Sequence, residues 1–413
     1  MFCSKEDKEI LRNLGQIYMG YASLPIQQEK VELWKALNRC QMQRPMITID
    51  QIPWHEFHDE ALICRVQDPF WQEIEQNLRR KIYQWERFPA DMVLEPFFDI
   101  PAAVCRSDYG ITVEEDVIKQ HADERASSHY YKPTISEMED IEKIKDITIS
   151  YDKDLTAERL TAAKDVFAGI GPVRPIYCTS FHLGVWDKLS QFLGVENVYF
   201  DLVDRPEFLH AAMRRITDAT LAGIRRANEL MIHDSNINTC HCNYIYTDEL
   251  LPGFNQGGEA VSENCWAFAM AQLFTSVSPE VTAEFEIPYI SEMAEQFGMF
   301  YYGCCERLDD RLDYVKKIPH LRKVSCSPWS NREAFAERIG NNLVMSSKPT
   351  PAYLSGDSMD ETQIRQDLNR TIQCAKANNV NLELLLKDIS TVRFDSGRLT
   401  RWSQIAIEIA ENS

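Results

Sequence analysis

An α/β fold, a (β/α)8 TIM-type barrel behind an N-terminal helical extension, is predicted by this sequence on three observations. Short β-branched or aromatic runs alternate with helical patterns through most of the chain. Runs beginning near Met46, Met92, Val173, Asn236, Met299, Arg322, Leu343 and Leu382 number eight, and most are followed by a helix, which is the count of a closed barrel. No glycine-rich dinucleotide fingerprint follows any of them, which argues against an open, doubly wound sheet.

In chain order, residues 5–39 carry helical periodicity broken near Leu24-Pro25, so residues 1–44 form the extension and 45–413 the barrel. The first strand is Pro45 to Asp50, with proline at its entry where a missing N–H costs least. A helix is expected from Phe70 to Phe88, and then a strand from Met92 to Phe98 that Pro96 interrupts. Residues 106–154 are polar, with little apolar periodicity, and read as an excursion over a site. A helix from Thr156 to Phe167, the strand Pro175-Ile176-Tyr177-Cys178 and a helix through Trp186 follow, with Val198-Tyr199-Phe200 as a further strand candidate. The pattern continues with a long helix from Glu207 to Met231, the strand Ile237 to Cys240, a loop over residues 252–258, and helices Ser262–Phe274 and Pro279–Phe297. Strands from Met299, Arg322, Leu343 and Leu382 then alternate with helices Leu308–Lys317, Asn331–Ile339, Glu361–Ala377 and Leu399–Ala410.

Composition narrows the function. A formal net charge of -19 over 413 residues repels phosphate backbones and anionic membranes, so neither nucleic acid nor membrane is an expected partner. No apolar run approaches the ~20 residues that span a bilayer, and the first residues are charged where a signal peptide is apolar, so a cytoplasmic location is expected. Twelve cysteines in a reducing compartment are not a disulfide framework.

Barrels gather the C-terminal ends of their strands on one face. Those ends carry His55 and Glu56, His182, Cys240-His241-Cys242, Cys304-Cys305-Glu306, Cys326, Lys348, and Lys387-Asp388. Thiolate and imidazole are the ligands zinc prefers, so His241, Cys304, Cys305 and Cys326 are candidate metal ligands. The competing reading is that each thiol packs as a small hydrophobe, since the spacing lacks the two-residue gap of a zinc finger and adjacent strand residues face opposite ways. Glu306, Lys348 and Asp388 are the candidate catalytic groups; a Lys-Asp pair at a strand end suits acid–base work, substrate orientation or a structural ion pair.

From about Ile141 onward the chain resembles the uroporphyrinogen decarboxylase superfamily, more closely its methyltransferase branch. The likeness rests on Trp186-Asp187-Lys188-Leu189 with Asp204-Arg205-Pro206-Glu207, on Ser278-Pro279-Glu280 with Glu284-Phe285 and Pro288-Tyr289, on Gly303-Cys304-Cys305-Glu306 and on Ser327-Pro328-Trp329. The resemblance implies a barrel enzyme that transfers a methyl group between a corrinoid carrier protein and a zinc-activated thiol or related acceptor. In that branch zinc is held by a His-x-Cys pair and a later cysteine. The pair falls here on Tyr302-Gly303-Cys304, and no cysteine lies in residues 387–391, so His241, Cys305 and Cys326 are the substitutes. The arginine-rich segment of true decarboxylases is reduced to Arg44-Pro45, which disfavours porphyrinogen decarboxylation. The alternatives are a metal-free decarboxylase or lyase using Lys387, Asp388 and Glu306 on a small carboxylated substrate, and a non-catalytic corrinoid- or tetrapyrrole-binding protein.

Overall fold

The structure is a computed structural model that describes residues 3–118, 128–177, 181–234, 237–250 and 260–413. Six strands form one parallel sheet in the order Met46–Ile49, Asn381–Leu386, Val344–Ser347, Leu321–Cys326, Met299–Tyr302 and Trp266–Ala269. Phe98–Pro101 and Val173–Ile176 form a separate parallel pair, and His182 makes a lone parallel bridge to Phe268 at the sheet edge. Among the described residues no ladder joins the two edges, so the observed architecture is a six-stranded parallel α/β sheet, coarser than the expected eight-stranded barrel. No helix among them is long and apolar enough to cross a membrane.

Both faces of this sheet are buried, as parallel sheets require. Ile47, Phe300, Tyr302, Val324, Cys326, Met345 and Leu384 point to the helices, where they join Phe335, Ile364 and Trp402 in one apolar core. The alternate residues point the other way and are strongly polar: Thr48, Lys323, Ser346 and Glu383 are all buried there. Lys323 Nζ lies 2.7 Å from Glu383 Oε2, and Asn243 completes the network by donating to Glu383 and to Ser346 Oγ while accepting from Thr48.

Asn243 comes from a hairpin, not from a parallel strand. Thr239–Cys240 pairs antiparallel with Asn243–Tyr244, and the two turn residues, His241 and Cys242, have φ of 45° and 69°. Two positive-φ residues between paired strands make a type I′ turn, normally built from Asn and Gly. The expected strand therefore shortens to Thr239–Cys240; its expected start, Asn236, and Cys178 of another strand lie outside the described residues.

Other differences have local causes. The helix expected over Ser262–Phe274 is the edge strand Trp266–Ala269 between short 3-10 turns, because a short apolar run carries no period that separates helix from strand. Val198-Tyr199-Phe200 lies in the helix Val195–Asp204. Pro96 delays its strand to Phe98–Pro101. The expected helix Pro279–Phe297 divides at Glu286, two residues before Pro288, into Pro279–Phe285 and Ile287–Ala294. The N-terminal segment is two helices, Lys5–Ala22 and Pro25–Asn38, with Pro25 opening the second.

Candidate functional site

The Met299–Tyr302 strand ends at Gly303, whose φ is 93°, and a Cβ there would meet Leu308 Cδ1 at 2.5 Å. Only glycine fits. The reversal breaks the strand's alternation, so Cys304 turns to the polar-lined face and packs with Ile245, Trp266, Phe268, Met299 and Tyr301. Glu306 holds the turn: its Oε2 accepts the Cys304 N–H at 2.8 Å and its Oε1 the Ala271 N–H at 3.3 Å. Ser325 Oγ donates to the Cys304 carbonyl at 2.6 Å.

Lys387, at the end of the neighbouring Asn381–Leu386 strand, places Nζ 3.1 Å from Cys304 Sγ and 3.4 Å from His241 Nε2. Cys305 Sγ lies 3.4 Å from Cys304 Sγ and 3.3 Å from Asp388 Oδ2, so its single S–H faces a sulfur and a carboxylate. Cys304 is 3% exposed, and Cys305 is half-buried. The S–H of Cys305 and the ammonium groups of Lys387 and Lys348 outweigh burial and bring the Cys304 thiol down to about 7. Cys305 moves the opposite way, since its proton bridges to the Cys304 sulfur beside Asp388. Burial opposes the charge of Lys387, but Cys304 and Asp388 hold it as an ammonium. The result is a thiolate–ammonium pair near neutral pH, the reactive form of a cysteine.

Lys348 lies deeper. It donates to Tyr301 OH, to Ser346 O at 3.2 Å and to Ser346 Oγ at 3.1 Å, and burial brings it down to about 8. His241 stacks on Phe268 with ring centres 3.6 Å apart, and burial with the charges of Lys348 and Lys387 keeps it neutral. His182 lines the same region beside Phe268.

The zinc expectation meets a different geometry. Among the described residues no three His, Cys, Asp or Glu side chains converge as a metal-ligand set. Cys326 belongs to the apolar core on the helix face, where burial raises its thiol to about 12, so it is not brought together with Cys304. Tyr302, at the position of the branch's histidine, points to that same face and donates to Glu286 at 3.2 Å. Between Cys304 and His241 stands the ammonium of Lys387, a cation where the later ligand of the branch would fall. These residues do not fit a zinc centre of that type. Of the candidate catalytic groups, Glu306 is held beneath the Cys304 turn, Lys348 is on Tyr301, and Asp388 is at the rim beside Cys305. His55 and Glu56 stand apart, Glu56 capping the Val392 and Phe394 amides at 2.8 and 3.1 Å. Tyr301 was not legible from spacing, since a Tyr-Tyr pair does not say which ring faces inward; His241, a candidate from the sequence, is brought to Lys387 by the hairpin turn.

No family model and no curated protein matches the chain. Its fold is similar to that of a solved methyltransferase from Methanosarcina mazei. The TM-score is 0.50 at 11% identity, covering 92% of this chain and 97% of that one.

Proposed function

We propose that this chain is a methyltransferase-like enzyme whose nucleophile is the Cys304 thiolate, activated by Lys387 and Cys305 in place of a metal. The observation that carries the reading is the 3.1 Å contact between Lys387 Nζ and Cys304 Sγ. The fold likeness supports it at the level of architecture, and the Cys304 strand end is where the sequence resemblance sets the chemistry.

The step is an in-line displacement. The sulfur lone pair of Cys304 forms a bond to the methyl carbon, and the bond from that carbon to its carrier breaks with its electron pair going to the carrier. Lys387 keeps the sulfur anionic before attack and faces a neutral thioether afterwards; turnover requires an acceptor nucleophile to take the methyl carbon while the Cys304 sulfur leaves with the bonding pair as a thiolate, again paired with Lys387. Glu306 positions the Cys304 backbone, and Asp388, 46% exposed at the rim beside Cys305, is the group we assign to substrate contact. Lys348 fixes Tyr301 in the wall of the site. A methylated corrinoid protein is the donor this reading proposes.

The test is mass spectrometry of the protein after incubation with methylcobalamin. A single added methyl group on the peptide containing Cys304, absent in Cys304→Ser, supports the reading. No methylation, with Cys304 still reactive to iodoacetamide, sinks it.

A further inference from the structure

A cavity of about 150 Å³ lined in part by His241, but not by Cys304 or Lys387, takes no part in the displacement above. Its walls are aromatic: Phe181, Trp266, Phe268 and Phe297 line it. Three imidazoles, His182, His233 and His241, are among its polar lining groups. Burial pushes His233 down to about 4 and lowers His182 and His241 as well, so all three are neutral at physiological pH. Their partners set the tautomers. His182 Nδ1 accepts the Gly184 N–H at 3.3 Å, which leaves its proton on Nε2, and the Lys387 ammonium donates to His241 Nε2, which leaves that proton on Nδ1.

Among the described lining residues Asp234 is the one carboxylate, and it accepts the Tyr177 N–H at 2.6 Å; none of them is a lysine or arginine. Arg106 stands 4.2 Å over the Phe181 ring and is not itself among the described lining residues. An anion entering here would lose its hydration beside Asp234, with no lysine or arginine among the described lining residues to pair with, which is strongly unfavourable. An apolar body would replace water on four rings, and a cavity of this size holds a molecule about as large as benzene.

We propose that this cavity is a binding site for a small uncharged molecule of about benzene size, apolar in body and carrying one hydrogen-bond acceptor. Ile245, Trp266 and Phe268 belong both to its wall and to the cluster that packs Cys304, and the lining residue His241 is also the one that Lys387 Nζ approaches at 3.4 Å. Where the thiolate reading holds, this is the seat of an uncharged substrate, and it rejects thiols that carry a sulfonate or carboxylate.

The experiment is a ligand-observed NMR titration of the full chain with anisole, and with benzenesulfonate as a matched anion. Saturable binding of anisole and no binding of benzenesulfonate is the expected result, and this comparison needs no variant. Thr239 is an exposed lining residue, so Thr239→Trp adds bulk to the cavity wall from the surface and is expected to weaken anisole binding at least tenfold. The pH profile of Cys304 alkylation, measured on both proteins, is expected to be unchanged by Thr239→Trp. Absence of saturable anisole binding, equal binding of benzenesulfonate, or unchanged binding in a folded Thr239→Trp overturns the proposal. Anisole binding alongside an ordinary Cys304 profile leaves the cavity standing and removes the thiolate reading; the converse result removes the cavity alone.

Discussion

The Lys387 ammonium stands 3.1 Å from the Cys304 sulfur, with both side chains buried. An ion pair held out of water at that distance favours the thiolate strongly. Lys387→Met keeps the apolar stem and removes the charge, while Cys305 and Lys348 remain to assist. The Cys304 titration, read from the pH dependence of iodoacetamide alkylation with mass-spectrometric localisation, is expected to rise from about 7 by roughly one unit. Alkylation at neutral pH then falls about fivefold. An unshifted profile would show that the contact does not control the sulfur.

Cys305 acts on the same sulfur by another route. Its S–H is a weak donor at 3.4 Å, whereas Lys387 brings a full charge closer. Cys305→Ala is therefore expected to raise the Cys304 titration by less than Lys387→Met does, and Cys305→Ser, which retains a donor, by less again. A larger effect from Cys305→Ala than from Lys387→Met in the same alkylation assay would reverse this order and make the thiol pair the dominant device.

The strand ends were legible because they need only the coarse pattern: an aromatic run stopping at Gly303 announces Cys304, and a leucine run announces Lys387. Which way each side chain points was not. Cys326 and Tyr302 read as neighbours of Cys304, yet strict alternation sends both to the helix face, and the positive φ at Gly303 sends Cys304 to the other. That single dihedral decides the site and leaves only a glycine in the sequence as its trace. The edge strand Trp266–Ala269 was hidden for a different reason, since four apolar residues suit a buried helix as well as a buried strand. His241 is brought in by a type I′ turn made without its usual residues, so no turn signal marked it.

Beneath the site, Lys323 and Glu383 are both fully buried and 2.7 Å apart. Removing one partner strands the other charge in a medium that cannot solvate it. Lys323→Met is expected to destabilise the fold by about 3–5 kcal/mol, measured as a lower urea midpoint with unchanged slope. Adding Glu383→Leu is expected to recover part of that loss, because the second substitution removes the stranded carboxylate; Asn243, which donates to Glu383, then limits the recovery. A double variant no more stable than Lys323→Met would show that the network's worth lies in its hydrogen bonds rather than its charges.

Asp187 gives the fold a pH dependence with a defined sign. Burial, with Glu306 nearby, raises its carboxyl from 3.8 to about 7, while its Oδ1 accepts the Gln272 N–H at 2.9 Å. Between those two values the unfolded chain has released this proton and the folded chain still holds it. The unfolded state therefore binds fewer protons, and stability contributed by this group falls as pH rises through the window and levels off above about 7. Asp187→Asn keeps an oxygen for the Gln272 amide and cannot ionise, so it loses this slope. The melting temperature of the variant relative to wild type is expected to climb between pH 4 and pH 8, by an amount equivalent to on the order of 2 kcal/mol after allowance for partial exposure. Parallel curves for the two proteins across that range would mean that Asp187 ionises in the folded state as freely as in water.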